Sequence, residues 1–266
     1  MRGVSKPWPP ADISPDGQTP RRLADAERAL LAGLPAATNR AVFARSTFDG
    51  LEKSKLRAVL YREQRSLCVY CERRVQERYP FPPIDHWRPL SRNPELALHW
   101  KNLHLSCPSA ETCDGAKGQR PLKWADADPD LPWPTNYAYE TVLGFTSGGE
   151  IFVRADAILD SAMRRGLELA IDDQADGSSI RKAILNLNHP ALVAARKAAI
   201  DAERARMERE FKGKTATREA REARAEALLA RNPFESFVSV RTCWIRKELG
   251  KGRCEPLTAK GHPPRQ

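Results

Sequence analysis

Two pairs of cysteines tie distant parts of this chain to one point. Cys68 and Cys71 stand as C-x2-C, and after 35 intervening residues Cys107 and Cys113 stand as C-x5-C. Two such turns can deliver four soft thiolates to one tetrahedral ion, the arrangement that zinc takes in structural sites. The second turn is wider than the usual spacing of roughly two to four residues. Pro108, Ser109 and Thr112 supply loop formers for it, and Cys113 directly precedes Asp114. The reading is a structural zinc held by Cys68, Cys71, Cys107 and Cys113, against the alternative of four unrelated buried thiols.

At 266 residues with 41% apolar content the chain can build a real core, as one large domain or two small ones. A formal charge of +10 favours a polyanionic partner such as nucleic acid. Between Leu51 and Arg120 there are 13 basic and 8 acidic residues, so the segment holding the cysteines is itself basic. No apolar run approaches the roughly 18 residues of a membrane span, and Met1 to Pro7 lacks a signal-like apolar stretch. A cytoplasmic location is expected, with no membrane partner. In a reducing compartment thiols go to metal before disulfides, which leaves Cys243 and Cys254 as free thiols.

Between the cysteine pairs lie Ile84-Asp85-His86-Trp87-Arg88-Pro89 and Trp100-Lys101-Asn102-Leu103-His104-Leu105-Ser106, and Asp114-Gly115-Ala116-Lys117-Gly118 follows the last cysteine. An imidazole is largely neutral at cytosolic pH and can take a proton from water, and an adjacent carboxylate suits a hard divalent ion. Asp-His, then Asn in an Asn-Leu-x-Leu strand, then Asp-x-x-Lys-Gly resembles the HNH endonuclease core. The wording Cys68-Val69-Tyr70-Cys71-Glu72, Ile84 to Pro89 and Leu105-Ser106-Cys107 is similar to one branch, the PtuB type of Septu and retron-associated antiviral systems. The resemblance continues through Ile184-Leu185-Asn186-Leu187-Asn188-His189-Pro190 and Pro233-Phe234-Glu235-Ser236-Phe237.

The resemblance implies an α+β, mostly helical protein: a ββα-metal nuclease core with a four-cysteine zinc site, followed by a helical C-terminal region. It implies hydrolysis of phosphodiester bonds in nucleic acid, DNA before RNA, with His86 as the base and Asp85 and Asp114 as ligands of a catalytic Mg²⁺ or Mn²⁺. Asp114 stands where the HNH pattern more often has Asn or His. Asn102 is expected to brace the loop carrying the base, and Lys117 and Arg88 to meet phosphate, with a surface lysine and a pairing arginine as the plain alternatives. The family also implies a partner ABC-type ATPase of the PtuA type, and this chain has no Gly-x-x-x-x-Gly-Lys-Ser/Thr loop of its own. The competing reading is a non-catalytic zinc-stabilised module that binds nucleic acid or a partner, or a scaffold subunit that acts through its helices.

Three regions are expected: an N-terminal arm and helix over 1–50, the core over 51–124, and a β-hairpin with helices over 125–266. Five prolines among the first 20 residues read as an extended arm. Apolar spacing predicts helices over Arg21–Leu34 and Leu51–Ser66, and later over Ala157–Ala170, Ser178–Leu187, His189–Phe211, Thr215–Arg231 and Phe234–Leu249. Ser147-Gly148-Gly149-Glu150 marks the hairpin turn. Val193, Ile200 and Met207 recur every seven residues on a charged helix, first a solvated mixed-charge pair and secondly a seam for a partner.

Overall fold

The computed structural model describes residues 1, 4, 6, 19–118, 131–171, 183–212 and 214–246. Most of the proline-rich arm, the expected boundary near residue 124 and Cys254 lie outside them. The described chain is mixed α/β and mostly helical. Among the described residues no helix is long and apolar enough to cross a membrane.

Three helices lead in: α1 (Thr19–Gly33), α2 (Arg40–Asp49) and α3 (Lys53–Glu63). Apolar spacing points to α1 and α3, whereas α2, with Arg40, Arg45 and Asp49 scattered among its apolar residues, carries no clear stripe. Only Ala44 and Phe48 of α2 are buried. The α3 start is capped by Glu52, whose carboxylate accepts from the Ser54 amide. Leu56, Val59, Leu60 and Tyr61 of α3 turn inward and carry the chain to the first cysteine turn.

Strands β1 (Ile84–His86) and β2 (Leu103–Leu105) pair antiparallel, with Ile84 opposite Leu105, Asp85 opposite His104 and His86 opposite Leu103. Asn102 ends a 3-10 turn over Trp100–Asn102 instead of opening the strand. Helix α4 (Cys113–Gly118) follows, starting on the cysteine itself. Strands β3 (Leu143–Phe145) and β4 (Ile151–Val153) form the expected second hairpin. At its turn Gly149 has φ +96°, and a Cβ there would stand 2.4 Å from the Val193 carbonyl oxygen, so only glycine fits.

The C-terminal part holds α5 (Ser161–Ile171), α6 (Pro190–Glu210), α7 (Arg218–Leu229) and α8 (Val238–Ile245). Pro190 sits at the start of α6, where its missing N–H costs nothing. Residues 183–187 are not helical, contrary to the expected helix over 178–187. They run as a strap whose Ile184 and Leu185 amides donate to the Leu169 and Ala170 carbonyls at the end of α5.

The heptad face of α6 is not offered to solvent. Ile200 and Met207 are buried, and Leu192, Arg196, Ala199 and Glu203 are buried with them. Glu203 is fully buried, with Arg224 on one oxygen (2.7 Å) and Arg241 (3.2 Å) and Arg206 (3.3 Å) on the other. The mixed-charge helices therefore meet through an internal ionic cluster, and the heptad seam is occupied within the chain. One cluster of buried apolar side chains runs from Leu23 through Trp87, Leu103, Leu143 and Leu192 to Cys243, on both sides of the expected boundary. Cys243 is disulfide-bonded, which corrects its reading as a free thiol. That reading rested on compartment and on the lack of a matching cysteine pair nearby, whereas a disulfide needs two sulfurs brought together by the fold and an oxidant to join them.

Candidate active site and metal centre

The first cysteine turn is shaped by backbone bonds. The Glu72 amide donates to the Cys68 carbonyl, the Cys68 amide to the Arg73 carbonyl, and Glu72 takes φ 61° to close the turn. The Arg73 amide points at Cys71 Sγ (3.4 Å). Gln64 fastens this turn to β2: its Oε1 accepts from the Leu105 amide, and its Nε2 donates to the Leu67 and Leu105 carbonyls at 2.9 and 3.0 Å. The second turn is held by the strap, since the Cys113 amide donates to the Leu185 carbonyl (2.8 Å) and Asn186 to the Glu111 carbonyl (2.9 Å).

These constraints place the four sulfurs of Cys68, Cys71, Cys107 and Cys113 within 4.8 Å of one another, all buried. Cys71 and Cys107 are 3.8 Å apart. Four sulfurs at about 2.3 Å from a tetrahedral zinc stand roughly 3.8 Å from each other, so the cluster fits such an ion. Its electrostatics agree. Burial alone would raise the Cys68 thiol, but hydrogen bonds from the other three cysteines bring it well below its usual range. Burial and the same neighbours push Cys113 well above it. The first thiolate thus forms readily, and further ionisation calls for a cation.

Consecutive strand residues face opposite ways, so β1 serves two environments. Asp85 turns toward the first cysteine turn and α4. Lys117 Nζ lies 2.7 and 2.9 Å from its two oxygens, and Tyr70 Oη donates to Oδ2. Lys117 also donates to Tyr70 Oη (3.2 Å) and to the His86 carbonyl. Both partners are buried, an ion pair at 2.7 Å. Burial would raise the Asp85 carboxyl, but the Lys117 charge and hydrogen bonds from Asp114, Lys117 and Tyr70 keep it below its ordinary value.

Asp114 reaches the same carboxylate. Its amide donates to Ser106 Oγ (3.2 Å), and Ser106 Oγ is also 3.8 Å from Cys68 Sγ, so one hydroxyl links the two centres. Burial, then the charge of Asp85, raise the Asp114 carboxyl to about 8, so the two acids share a proton at neutral pH. Gly115 lets the second cysteine turn pack against α4: a Cβ there would stand 2.0 Å from the Ser109 carbonyl oxygen. Two hard oxygen donors at one place suit a divalent ion. Lys117 already supplies one charge to that place, so an ion there would compete with it.

His86 turns the other way, edge-on to Phe48 at 4.6 Å between centroids. Its Nε2 lies 2.8 Å from the Ala97 carbonyl, which can only accept. The proton therefore sits on Nε2, and Nδ1 keeps its lone pair. Burial lowers its pKa to about 4, so the ring is neutral throughout the physiological range. Asn102, fully buried, accepts from the Arg88 amide (2.6 Å) and donates to the Arg88 and Leu96 carbonyls at 3.2 and 3.0 Å. It bridges the two ends of the loop that carries the histidine's carbonyl partner. Arg88 donates to the Leu131 carbonyl and stacks over Trp133 at 5.2 Å. Lys117 and Arg88 are thus both engaged inside the protein, and meeting phosphate would require each to leave these partners.

Several supports escaped sequence reasoning. Tyr70 sits between two of the cysteines, Gln64 just before them and Ser106 just before Cys107, and position was their only signal. The 184–188 strap and the 233–237 segment carried a family likeness without a reason, and the structure supplies one. The Phe237 amide donates to the Glu72 carbonyl and the Ser239 amide to the Glu72 carboxylate, and Ser236 Oγ accepts from the Arg74 amide.

No family model matches the chain. Among curated proteins it is similar to the Septu protein PtuB of Bacillus thuringiensis, at 30% identity over 86 residues. The match covers 32% of this chain and 32% of that protein, so it spans about a third of the relative's length. It supports a PtuB-like relationship over that stretch.

Proposed function

We propose that this chain is a metal-dependent endonuclease of the HNH type that hydrolyses phosphodiester bonds, DNA being the first substrate to test. The observation that carries the reading is the contact of His86 Nε2 with the Ala97 carbonyl, which leaves Nδ1 as acceptor one residue along β1 from Asp85, on the opposite face of the strand. His86 accepts a proton from the attacking water at Nδ1 and stays neutral between turnovers because it is buried. Asn102 keeps the Ala97 carbonyl in place and with it the ring. Asp85 and Asp114 are the residues that hold Mg²⁺ or Mn²⁺, which when bound withdraws charge from a phosphoryl oxygen. Cys68, Cys71, Cys107 and Cys113 hold a structural zinc. A defence role alongside an ABC-type ATPase of the PtuA type is proposed from the likeness to PtuB.

A second reading draws on Lys117. Its ammonium balances Asp85 without any metal, as it would in a zinc-stabilised binding subunit that does no chemistry. Incubating the full chain with plasmid in Mg²⁺ or Mn²⁺, alone and with an ABC-type ATPase of the PtuA type, separates the two. Nicking that drops about 100-fold or more in His86→Ala, with zinc content unchanged, is the expected result. If wild type leaves the plasmid intact under every condition, the binding subunit becomes the better reading.

A further inference from the structure

The loop between the first cysteine turn and β1 breaks the usual rule for large apolar side chains. Tyr79 is 86% exposed and Phe81 51%, although the chain has ample core to receive them. Gln76, Glu77, Arg78 and Pro80 around them are exposed as well. The loop is nevertheless fixed at its base. Tyr61 of α3 donates to the Gln76 carbonyl (2.6 Å), Arg57 Nε donates to the Pro82 carbonyl (3.1 Å), and the Ser106 amide donates to the Pro83 carbonyl (3.1 Å). The two rings are therefore carried outward on an anchored loop.

Their setting is cationic. The Arg57 guanidinium lies 5.4 Å from the Phe81 ring centroid, and residues 73–78 hold Arg73, Arg74 and Arg78 against Glu77 alone. Exposed flat rings beside guanidinium groups fit unstacked bases on a phosphate backbone, since every base offers a π-face and the arginines meet the charge. Aromatic rings and arginines also anchor protein interfaces, so partner binding is one arm of the test. Phe81 also precedes Asp85 by four residues, at most about 14 Å of chain, roughly two nucleotides along an extended strand.

We propose that Tyr79 and Phe81 are a stacking platform that binds unpaired bases next to the Asp85 and His86 centre, making single-stranded or locally opened nucleic acid the preferred substrate class. The proposal rests on the reading of this chain as acting on nucleic acid, but its test does not require cleavage. The probe is a fluorescent 20-nucleotide single strand, as DNA and as RNA, beside the corresponding DNA duplex. Binding is followed by anisotropy at fixed salt in the His86→Ala protein, so that no strand is cut.

Adding Tyr79→Ala and Phe81→Ala is expected to weaken single-strand binding about fivefold or more for each ring lost. Duplex affinity stays the same, and the salt dependence keeps its slope because no charge is removed. The exchange Tyr79→Phe with Phe81→Tyr keeps both rings and should keep the affinity. Unchanged single-strand binding in the double alanine variant overturns the platform, and so does an equal loss for duplex and single strand. Loss of ATPase binding with intact oligonucleotide binding overturns it in favour of a protein-docking loop. A ring-dependent affinity in a protein that never nicks plasmid leaves the platform standing and removes the nuclease reading.

Discussion

The four-cysteine cluster and the carboxylate centre share β2, Ser106 and the start of α4, yet their charges are balanced in opposite ways. The four sulfurs lie within 4.8 Å of one another, and the nearby buried Arg196 adds charge to Cys71 and Cys113 but spends its hydrogen bonds on the Gly149 and Leu187 carbonyls. The acids have an internal cation, since Lys117 sits 2.7 Å from Asp85. One centre gathers four donors that could hold a metal ion, and in the other the chain supplies a cation in direct contact. Identical donors at short spacing thus suit a metal, whereas a carboxylate pair can be satisfied by the chain itself.

The largest effect should come from the cysteine cluster. Structural zinc contributes an apparent 10–16 kcal/mol or so in small metal-folded peptides, comparable with the whole stability of an ordinary domain. Elemental analysis should find about one zinc per chain, and a strong chelator or Cys71→Ser should abolish cooperative unfolding. A zinc-free protein of equal melting temperature would break the comparison on this side.

Lys117→Met comes next and probes the other centre. Removing one partner of a buried ion pair costs about 3–5 kcal/mol, here because Asp85 and Asp114 are left facing each other. Urea unfolding should register that loss, and added Mn²⁺ should restore stability in the variant far more than in wild type. Equal responses to Mn²⁺ in the two proteins would mean that Lys117 does not stand in the ion's place.

The smallest effect belongs to the strand between the centres. His104 is buried, with Nε2 on the Lys101 carbonyl (2.9 Å), and burial together with the nearby charges of Lys6 and Lys117 sets its pKa well below the usual value. Its folded value lies below the unfolded one near 6.5, so its contribution is fully present above that pH and is lost as pH falls through it. Stability should decline below about pH 6.5 by at most roughly 1.4 kcal/mol per unit from this group. The decline should be shallower in His104→Leu, read from urea midpoints at pH 7.5 and 5.5. An identical decline in both proteins would assign the acid sensitivity to other groups, His86 first among them, whose pKa burial also depresses.

Reading the sequence reached the identities at both centres better than their states. The cysteine pairs were legible because zinc ligands leave a fixed spacing, and Asp85, His86 and Asn102 drew notice as candidates because they lie between those pairs, with Asp114 directly after the last cysteine. The partner of Lys117 was not legible, since a bond between residues 32 apart leaves no periodicity. Nor was the strap at 183–188, whose apolar Ile184, Leu185 and Leu187 mimic a helical face but serve the end of α5 and the second cysteine turn. Spacing on α6 points to an apolar seam, first on a mixed-charge helix pair and secondly for a partner, and Ile200 and Met207 are buried within the chain, because spacing shows that a face is apolar without showing what covers it.

The tie between Glu72 and Ser239 spans 167 residues, and that length is also a time. A ribosome adds about 5–20 residues per second, so the first cysteine turn waits roughly 8–33 s for the amides that complete its outer wall. Through that interval Cys68 and Cys71 are already synthesised but lack their final backing. The centre is finished only when nearly the whole described chain has emerged, so a product stopped short of α8 carries every proposed site residue and lacks that closing bond.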